Sequence, residues 1–313
     1  MSDASPPTSS GLNHYQWMAM SRALEEALSD LNTRWFPARG EEAAIVGSFV
    51  DLGPNDVCAP HYRGPFVVYL MRGAELWRLT AQAMGKTAGY NKGRSVPFTG
   101  PFELGVVPWV AGDLGSSLGV ATGAALALKH SKRGGVCVCS FGDGTSNRGD
   151  FHENVNLAAA WQLPIIYVCQ NNGWAISQSA DGYLRAPVAS RAAGYGIPGV
   201  SVDGQDIDAV RAVLAEAVSR ARAGGGPTLV EALTDRVRGH WAGDEASYRL
   251  EIRDTRDPIE LLGERLIAKG AATGEELQKT KDEVQVAVAD AIERSTALPD
   301  PTEADLAPDD TYA

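Results

Sequence analysis

The fold is decided by one stretch, GVCVCSFGDGTSNRGDFHENVNLAAAWQLPIIYVCQNNGWAIS, residues 135–177. It opens on an apolar run, 135–141, and reaches a second, 164–170, both rich in Val, Ile and Cys. Short continuous runs of this kind suit strands covered on both faces in a parallel sheet. Between them, 150–161 has the length and pattern of a helix. A strand, a crossover helix and a second parallel strand follow a right-handed path, so both strands leave the sheet at the same edge. Gly142-Asp143-Gly144 comes directly after the first strand and Asn171-Asn172-Gly173 directly after the second. Asp143 and Asn172 stand 29 residues apart, enough for the crossover, and such folds bind ligands in the crevice at this carboxyl edge.

Either motif alone is a common turn. Together, after two apolar strands, they bring a carboxylate, an amide oxygen and a loop carbonyl, that of Trp174, to one crevice. These are hard donors of the kind Mg²⁺ accepts, with the remaining octahedral positions left to phosphate oxygens and water. Gly142 and Gly144 let the backbone approach a phosphate with no Cβ in the way. The stretch therefore predicts a metal-bridged diphosphate clamp with Asp143, Asn172 and Trp174 as metal ligands.

Outward from this unit, the strand, helix, strand order recurs at 200–202, 206–222 and 227–233. The expected class is α/β: a doubly wound, mostly parallel sheet with helices on both faces. Residues 1–12 read as a disordered, Ser/Pro-rich tail without a secretory signal. An amphipathic pattern at 14–35, with Met18, Leu24, Leu28 and Leu31 on one side, reads as a docking helix within 13–39. The α/β domain would span 40–256, and 257–313 would form a helical extension with helices near 258–269 and 273–295.

The chain has 313 residues and a formal charge of −11, which disfavours nucleic acid as a partner. A hydrophobic content of 44% excludes a disordered class. The small-residue-rich segment 106–128 carries Asp113, against a membrane span. Cys58, Cys137, Cys139 and Cys169 show neither disulfide-framework nor zinc-ribbon spacing, and fit a reducing cytoplasm.

Gly142-Asp143-Gly144 through Asn171-Asn172 resembles the thiamine diphosphate motif. The text around it is similar to the alpha subunit of the decarboxylating dehydrogenase component of 2-oxo acid dehydrogenase complexes, of pyruvate, branched-chain and acetoin types. Gly40-Glu41-Glu42-Ala43, Tyr62-Arg63, Val202-Asp203-Gly204, Gly226-Pro227, the Gly239-His240 to Tyr248-Arg249 loop and Asp257-Pro258-Ile259 match that family in order. The resemblance implies that Tyr62 and Arg63 bind the diphosphate and that Asp143, Asn172 and the Trp174 carbonyl bind Mg²⁺. It also implies that backbone near Pro108 and Val110 holds the aminopyrimidine, and that His240, the candidate catalytic residue, lies on a loop over the site anchored by Tyr248-Arg249. For Arg63 the physical reason is plain: a planar guanidinium pairs bidentately with phosphate oxygens. His61, His130 and His152 have weaker claims, His152 lying on the crossover helix and His130 on a solvated face.

Thiamine diphosphate chemistry needs a carboxylate at the aminopyrimidine, and the diphosphate half cannot supply it. The resemblance implies a beta subunit that does so, in an α2β2 heterotetramer. Glu153 of the crossover helix is expected to be solvated or structural instead. The implied substrate is a 2-oxo acid and the implied acceptor a lipoyl group on an acyltransferase. Three departures bear on that. No histidine follows Tyr62-Arg63, where Phe66, Val67 and Val68 read as an apolar wall suited to a bulkier or branched 2-oxo acid. Trp241 follows His240 where the family often has a regulated serine. Residues 93–98 replace a Ser-Met-His stretch. A thiamine diphosphate-dependent carboligase without a lipoyl acceptor is the alternative.

Overall fold

The computed structural model describes residues 10–94, 100–107, 114–249 and 256–305. Five strands form one parallel sheet in the order β1-β2-β3-β7-β6. They are β1 (Val57–Ala59), β2 (Cys137–Gly142), β3 (Ile165–Asn171), β6 (Gly199–Asp203) and β7 (Thr228–Leu233). A separate antiparallel hairpin joins β4 (Trp174–Ala175) to β5 (Gln178–Ser179).

Along β2, β3 and β7 the residues are buried nearly without interruption, as apolar runs covered on both faces should be. Successive side chains point to opposite faces and so feed two cores. Val138, Ile166, Val168 and Val230 face one core, while Cys137, Cys139, Tyr167 and Leu229 face the other. The second core is closed by α5 (Ser116–Ser131) and α6 (Gly149–Ala160), through Leu118, Ala121, Phe151 and Val155. The first is closed by α1 (Ser10–Leu31), α2 (Glu42–Phe49), α3 (Pro65–Met71), α4 (Leu76–Ala83) and α7 (Ile207–Arg222). The doubly wound parallel architecture is as expected from the sequence.

Helix ends follow side-chain chemistry. Asp206 caps α7, and Asp257 caps α8 (Pro258–Ala268) with proline at its first position. Thr273 and Glu276 form a capping box at the start of α9 (Gly274–Thr296). Leu262, Leu277, Val284 and Val288 of these last helices belong to the same core as the sheet residues. Met18, Leu24 and Leu28 of α1 are buried there too, but Leu31 is 49% exposed. The helix stops at Leu31, so the apolar stripe loses its last member, and Trp35 enters the core from a turn with its Nε1–H donating to Glu25 Oε2 at 2.6 Å.

The apolar wall expected of Phe66, Val67 and Val68 is a correction. All three lie inside α3 and are fully buried, with the Phe66 ring 5.4 Å from that of Trp35. They are core, not lining. All four cysteines are buried free thiols. Among the described residues no helix is long and apolar enough to cross a membrane.

Candidate active site

Gly142 of β2 pairs with Gln170 of β3, so Asp143 and Asn172 leave adjacent parallel strands at one carboxyl edge. Asp143 starts a tight helical turn, Asp143–Asn147, and is 1% exposed. The Tyr183 hydroxyl donates to Asp143 Oδ2. Burial pushes the Asp143 carboxyl above its ordinary range, against the pull of that hydrogen bond. Asn172 Oδ1 accepts the Trp174 N–H at 3.1 Å, which fixes the turn into β4, and its Nδ2 donates to Glu41 Oε1 at 2.9 Å.

Among the described residues no group of three His, Cys, Asp or Glu side chains is placed to hold a metal ion. The donor set at this edge is instead one carboxylate, one amide and the backbone at Trp174. That set suits a hard cation whose other ligands come from a phosphate and water. The backbone here also approaches its surroundings closely: a Cβ on Gly144 would lie 2.9 Å from the Ala175 Cβ. The residues present fit a magnesium diphosphate.

Arg63 lies between β1 and α3 and is 2% exposed. Its Nη1 donates to the Pro37 carbonyl at 2.7 Å, and its Nε lies 3.3 Å from Glu41 Oε1. Its Nη2 lies 3.3 Å from His240 Nδ1 and 3.2 Å from the His240 carbonyl oxygen. Tyr62 is enclosed by aromatic rings, with centroids 4.0 Å from His61, 4.8 Å from Phe36 and 6.2 Å from His240. Burial and the cations Arg63 and Arg236 lower the His240 imidazole to about 4, so the ring is neutral near pH 7.

The His240 loop is tied down at both ends. The Asp244 carboxylate accepts the His240 N–H and the Tyr248 hydroxyl, each at 2.6 Å. Arg236 donates to Tyr248 Oη at 2.7 Å, and Arg249 donates to the carbonyls of Arg236 and Arg238. A cleft of about 610 Å³ runs along the ends of β3, β6 and β7, lined in part by Asn172, Trp174, Asp203 and Arg236.

The fold thus gathers Tyr62, Arg63, Gly142, Asp143, Gly144, Asn172, Trp174 and His240 at one edge of the sheet. Pro108 and Val110 lie outside the described residues. Glu153 and His130 are exposed, and His152 Nδ1 meets the Tyr195 hydroxyl on the flank of the domain. His61, given a weaker claim in the sequence, lies beside Gly142, and three further members of the neighbourhood carry no local signal that singles them out: Glu41, Tyr183 and Arg236. Glu41 sits in a recognised motif, yet nothing local says that Glu41 faces the strand tips while Glu42 turns to Arg22. Tyr183 reaches Asp143 across 40 residues of chain.

Taken together, the parallel sheet and the helices on both its faces define a doubly wound α/β protein with a cluster of oxygen donors at the carboxyl ends of its strands. Residues 19–303 match the family described as "Dehydrogenase E1 component", and the chain belongs to that family. It is 38% identical over 278 residues to the alpha subunit of acetoin:2,6-dichlorophenolindophenol oxidoreductase from Cupriavidus necator, covering 86% of this chain and 83% of that one. It is 33% identical over 307 residues to the pyruvate dehydrogenase E1 component subunit alpha of Rhizobium meliloti, covering 94% and 88%. It is also 32% identical over 305 residues to the human testis-specific mitochondrial form of that subunit, covering 93% and 77%. The expectation of a dehydrogenase E1 chain of alpha type holds.

Proposed function

We propose that this chain is the diphosphate-holding half of a two-subunit, thiamine diphosphate- and Mg²⁺-dependent 2-oxo acid dehydrogenase of the cytoplasm. The observation that carries the reading is the placement of Asp143 and Asn172 at the tips of adjacent parallel strands, with Asn172 linked through the buried Glu41 carboxylate to Arg63 and, through Arg63, to His240 at the same edge. When bound, thiamine diphosphate supplies the carbon nucleophile and the electron sink that decarboxylation of a 2-oxo acid requires.

The chain's own residues would do the rest. Asp143, Asn172 and the Trp174 carbonyl would hold Mg²⁺, and Tyr62 and Arg63 would hold the diphosphate. Backbone at Pro108 and Val110 would hold the aminopyrimidine. An arginine has no acceptor, so the contact of Arg63 with His240 Nδ1 places the lone pair on Nδ1 and the proton on Nε2. His240 would then present an N–H to the reacting centre as a neutral hydrogen-bond donor. A beta subunit, in an α2β2 assembly, would supply the activating glutamate, and a lipoyl acyltransferase would take the acyl group. The alpha-subunit names of the relatives support the existence of a beta partner.

The test uses the chain co-purified with its beta partner. Mg²⁺-dependent thiamine diphosphate binding by calorimetry, abolished by Asp143→Ala, is the expected result; a complex that binds no such cofactor overturns the reading. A second reading, a carboligase with an aldehyde acceptor, is favoured by one observation: the segment after Tyr62-Arg63 is a buried apolar helix with no histidine. A 2-oxo acid offered with either a lipoyl domain or an aldehyde separates the two.

A further inference from the structure

Glu41 has no role in the scheme above, yet its carboxylate is the point at which the two halves of the clamp meet. It is fully buried at the N-terminal end of α2. Oε1 accepts from Asn172 Nδ2 at 2.9 Å and lies 3.3 Å from Arg63 Nε, while Oε2 accepts from Gln170 Nε2 at 3.2 Å. One oxygen therefore touches both the amide expected on the metal and the guanidinium expected on the diphosphate.

We infer that Glu41 is a positioning residue that sets which way the Asn172 amide faces and where the Arg63 guanidinium sits. The inference rests on the cofactor reading given above and adds a residue to it. Each Glu41 oxygen accepts from an amide NH₂ group, Oε1 from Asn172 and Oε2 from Gln170, so both amides turn their nitrogen ends toward it. The Asn172 oxygen is thereby turned away, where it accepts the Trp174 N–H and keeps a second lone pair for a cation. An amide has nearly the same shape in its two orientations, and only the partners decide between them. With the carboxylate removed, the flipped amide would present N–H donors to a cation, which cannot accept them. The same deletion would strip Arg63 of its acidic partner, leaving it the Pro37 carbonyl, His240 and the Tyr62 side chain. Partners one step behind a metal ligand typically change metal affinity 10- to 100-fold when lost.

The experiment measures Mn²⁺ affinity by electron paramagnetic resonance, on the assembled complex with thiamine diphosphate present, alongside thermal unfolding. Glu41→Ala should weaken Mn²⁺ binding about 10- to 100-fold. Glu41→Gln can keep an oxygen toward Asn172 and Arg63 if Gln170 turns its own amide over, and should stay within about threefold of wild type. Glu41→Asp retains the charge but withdraws it by one methylene, and should fall about tenfold, which keeps the test usable if the alanine variant does not assemble. Folded Glu41→Ala or Glu41→Asp complexes with wild-type Mn²⁺ affinity overturn the positioning role alone. A wild-type complex that takes up no Mn²⁺ with thiamine diphosphate overturns the cofactor reading, and this inference with it.

Discussion

Arg63 Nη2 and His240 Nδ1 lie 3.3 Å apart across 177 residues of chain, and this contact fixes the tautomer of the His240 ring and opposes its protonation. Burial disfavours the charged imidazolium, and the positive charges of Arg63 and Arg236 add to its effect, so His240 is held down to about 4. A histidine with a lowered pKa is neutral above that value and gains its proton only below it. Between pH 5.5 and 8 the log kcat/KM profile should therefore show no limb that vanishes in His240→Asn. The variant should instead lose about 10²–10³ in kcat across the whole range, the usual worth of one preorganised hydrogen-bond donor. An acid limb near pH 6.5 that disappears with the histidine would contradict the assignment.

Tyr183 offers a separate handle on Asp143. Its hydroxyl donates to Oδ2 of a carboxylate already pushed up by burial. Tyr183→Phe removes a donor that favours the ionised form, so the carboxyl should rise further and compete more strongly for a proton. The expected result is Mg²⁺ affinity lower by about tenfold at pH 6. The deficit should shrink as pH rises and Asp143 ionises, as titration calorimetry at pH 6 and pH 8 can check.

Gly40, just ahead of Glu41, has φ +95°, and a Cβ there would stand 2.2 Å from the Asp235 carbonyl oxygen. Both the backbone conformation and the space exclude a side chain. Gly40→Ala should cost about 3 kcal/mol in urea denaturation, mostly through a forced shift between the start of α2 and the chain after β7.

Glu25 gives the folded chain a pH dependence of its own. Burial raises its carboxyl to about 8, against the hydrogen bond from Trp35. A carboxyl raised in the folded state stays protonated there while the unfolded chain has already lost its proton. Its contribution is therefore fully present below about pH 4.5 and is lost as pH rises to about 8, at no more than about 1.4 kcal/mol per pH unit. Glu25→Gln should flatten that slope and be more stable than wild type at pH 8. A parallel pair of urea-stability curves from pH 5 to 8 would falsify it.

What the sequence made legible was the layer whose physics is local. Continuous apolar runs fixed β2 and β3, the turn motifs after them placed Asp143 and Asn172 at one edge, and the helical stretches near 206–222, 258–269 and 273–295 are α7, α8 and α9. What stayed hidden depends on long-range packing. β1 is three residues long, and α2 is buried on all sides, so neither shows a period. The Glu41 and Tyr183 contacts join segments 131 and 40 residues apart, and no spacing rule reaches them.

Phe66 separates a substrate-pocket role from a structural one. In sequence it follows Tyr62-Arg63-Gly64-Pro65 and invites a reading as part of the substrate pocket. In the fold it is 0% exposed and its ring packs 5.4 Å from Trp35 in the core shared with α1. Removing a buried aromatic ring costs about 3–5 kcal/mol in lost transfer energy and cavity formation. Phe66→Ala should therefore lower the urea midpoint sharply. The ratio of kcat/KM for branched against unbranched 2-oxo acids should stay within about twofold, because a pocket methylene alone changes such ratios 10-fold or more. Phe66→His would bury an imidazole among apolar rings, destabilising the chain without restoring any proton transfer at the site. A shift in substrate ratio at unchanged stability would place Phe66 in the pocket after all.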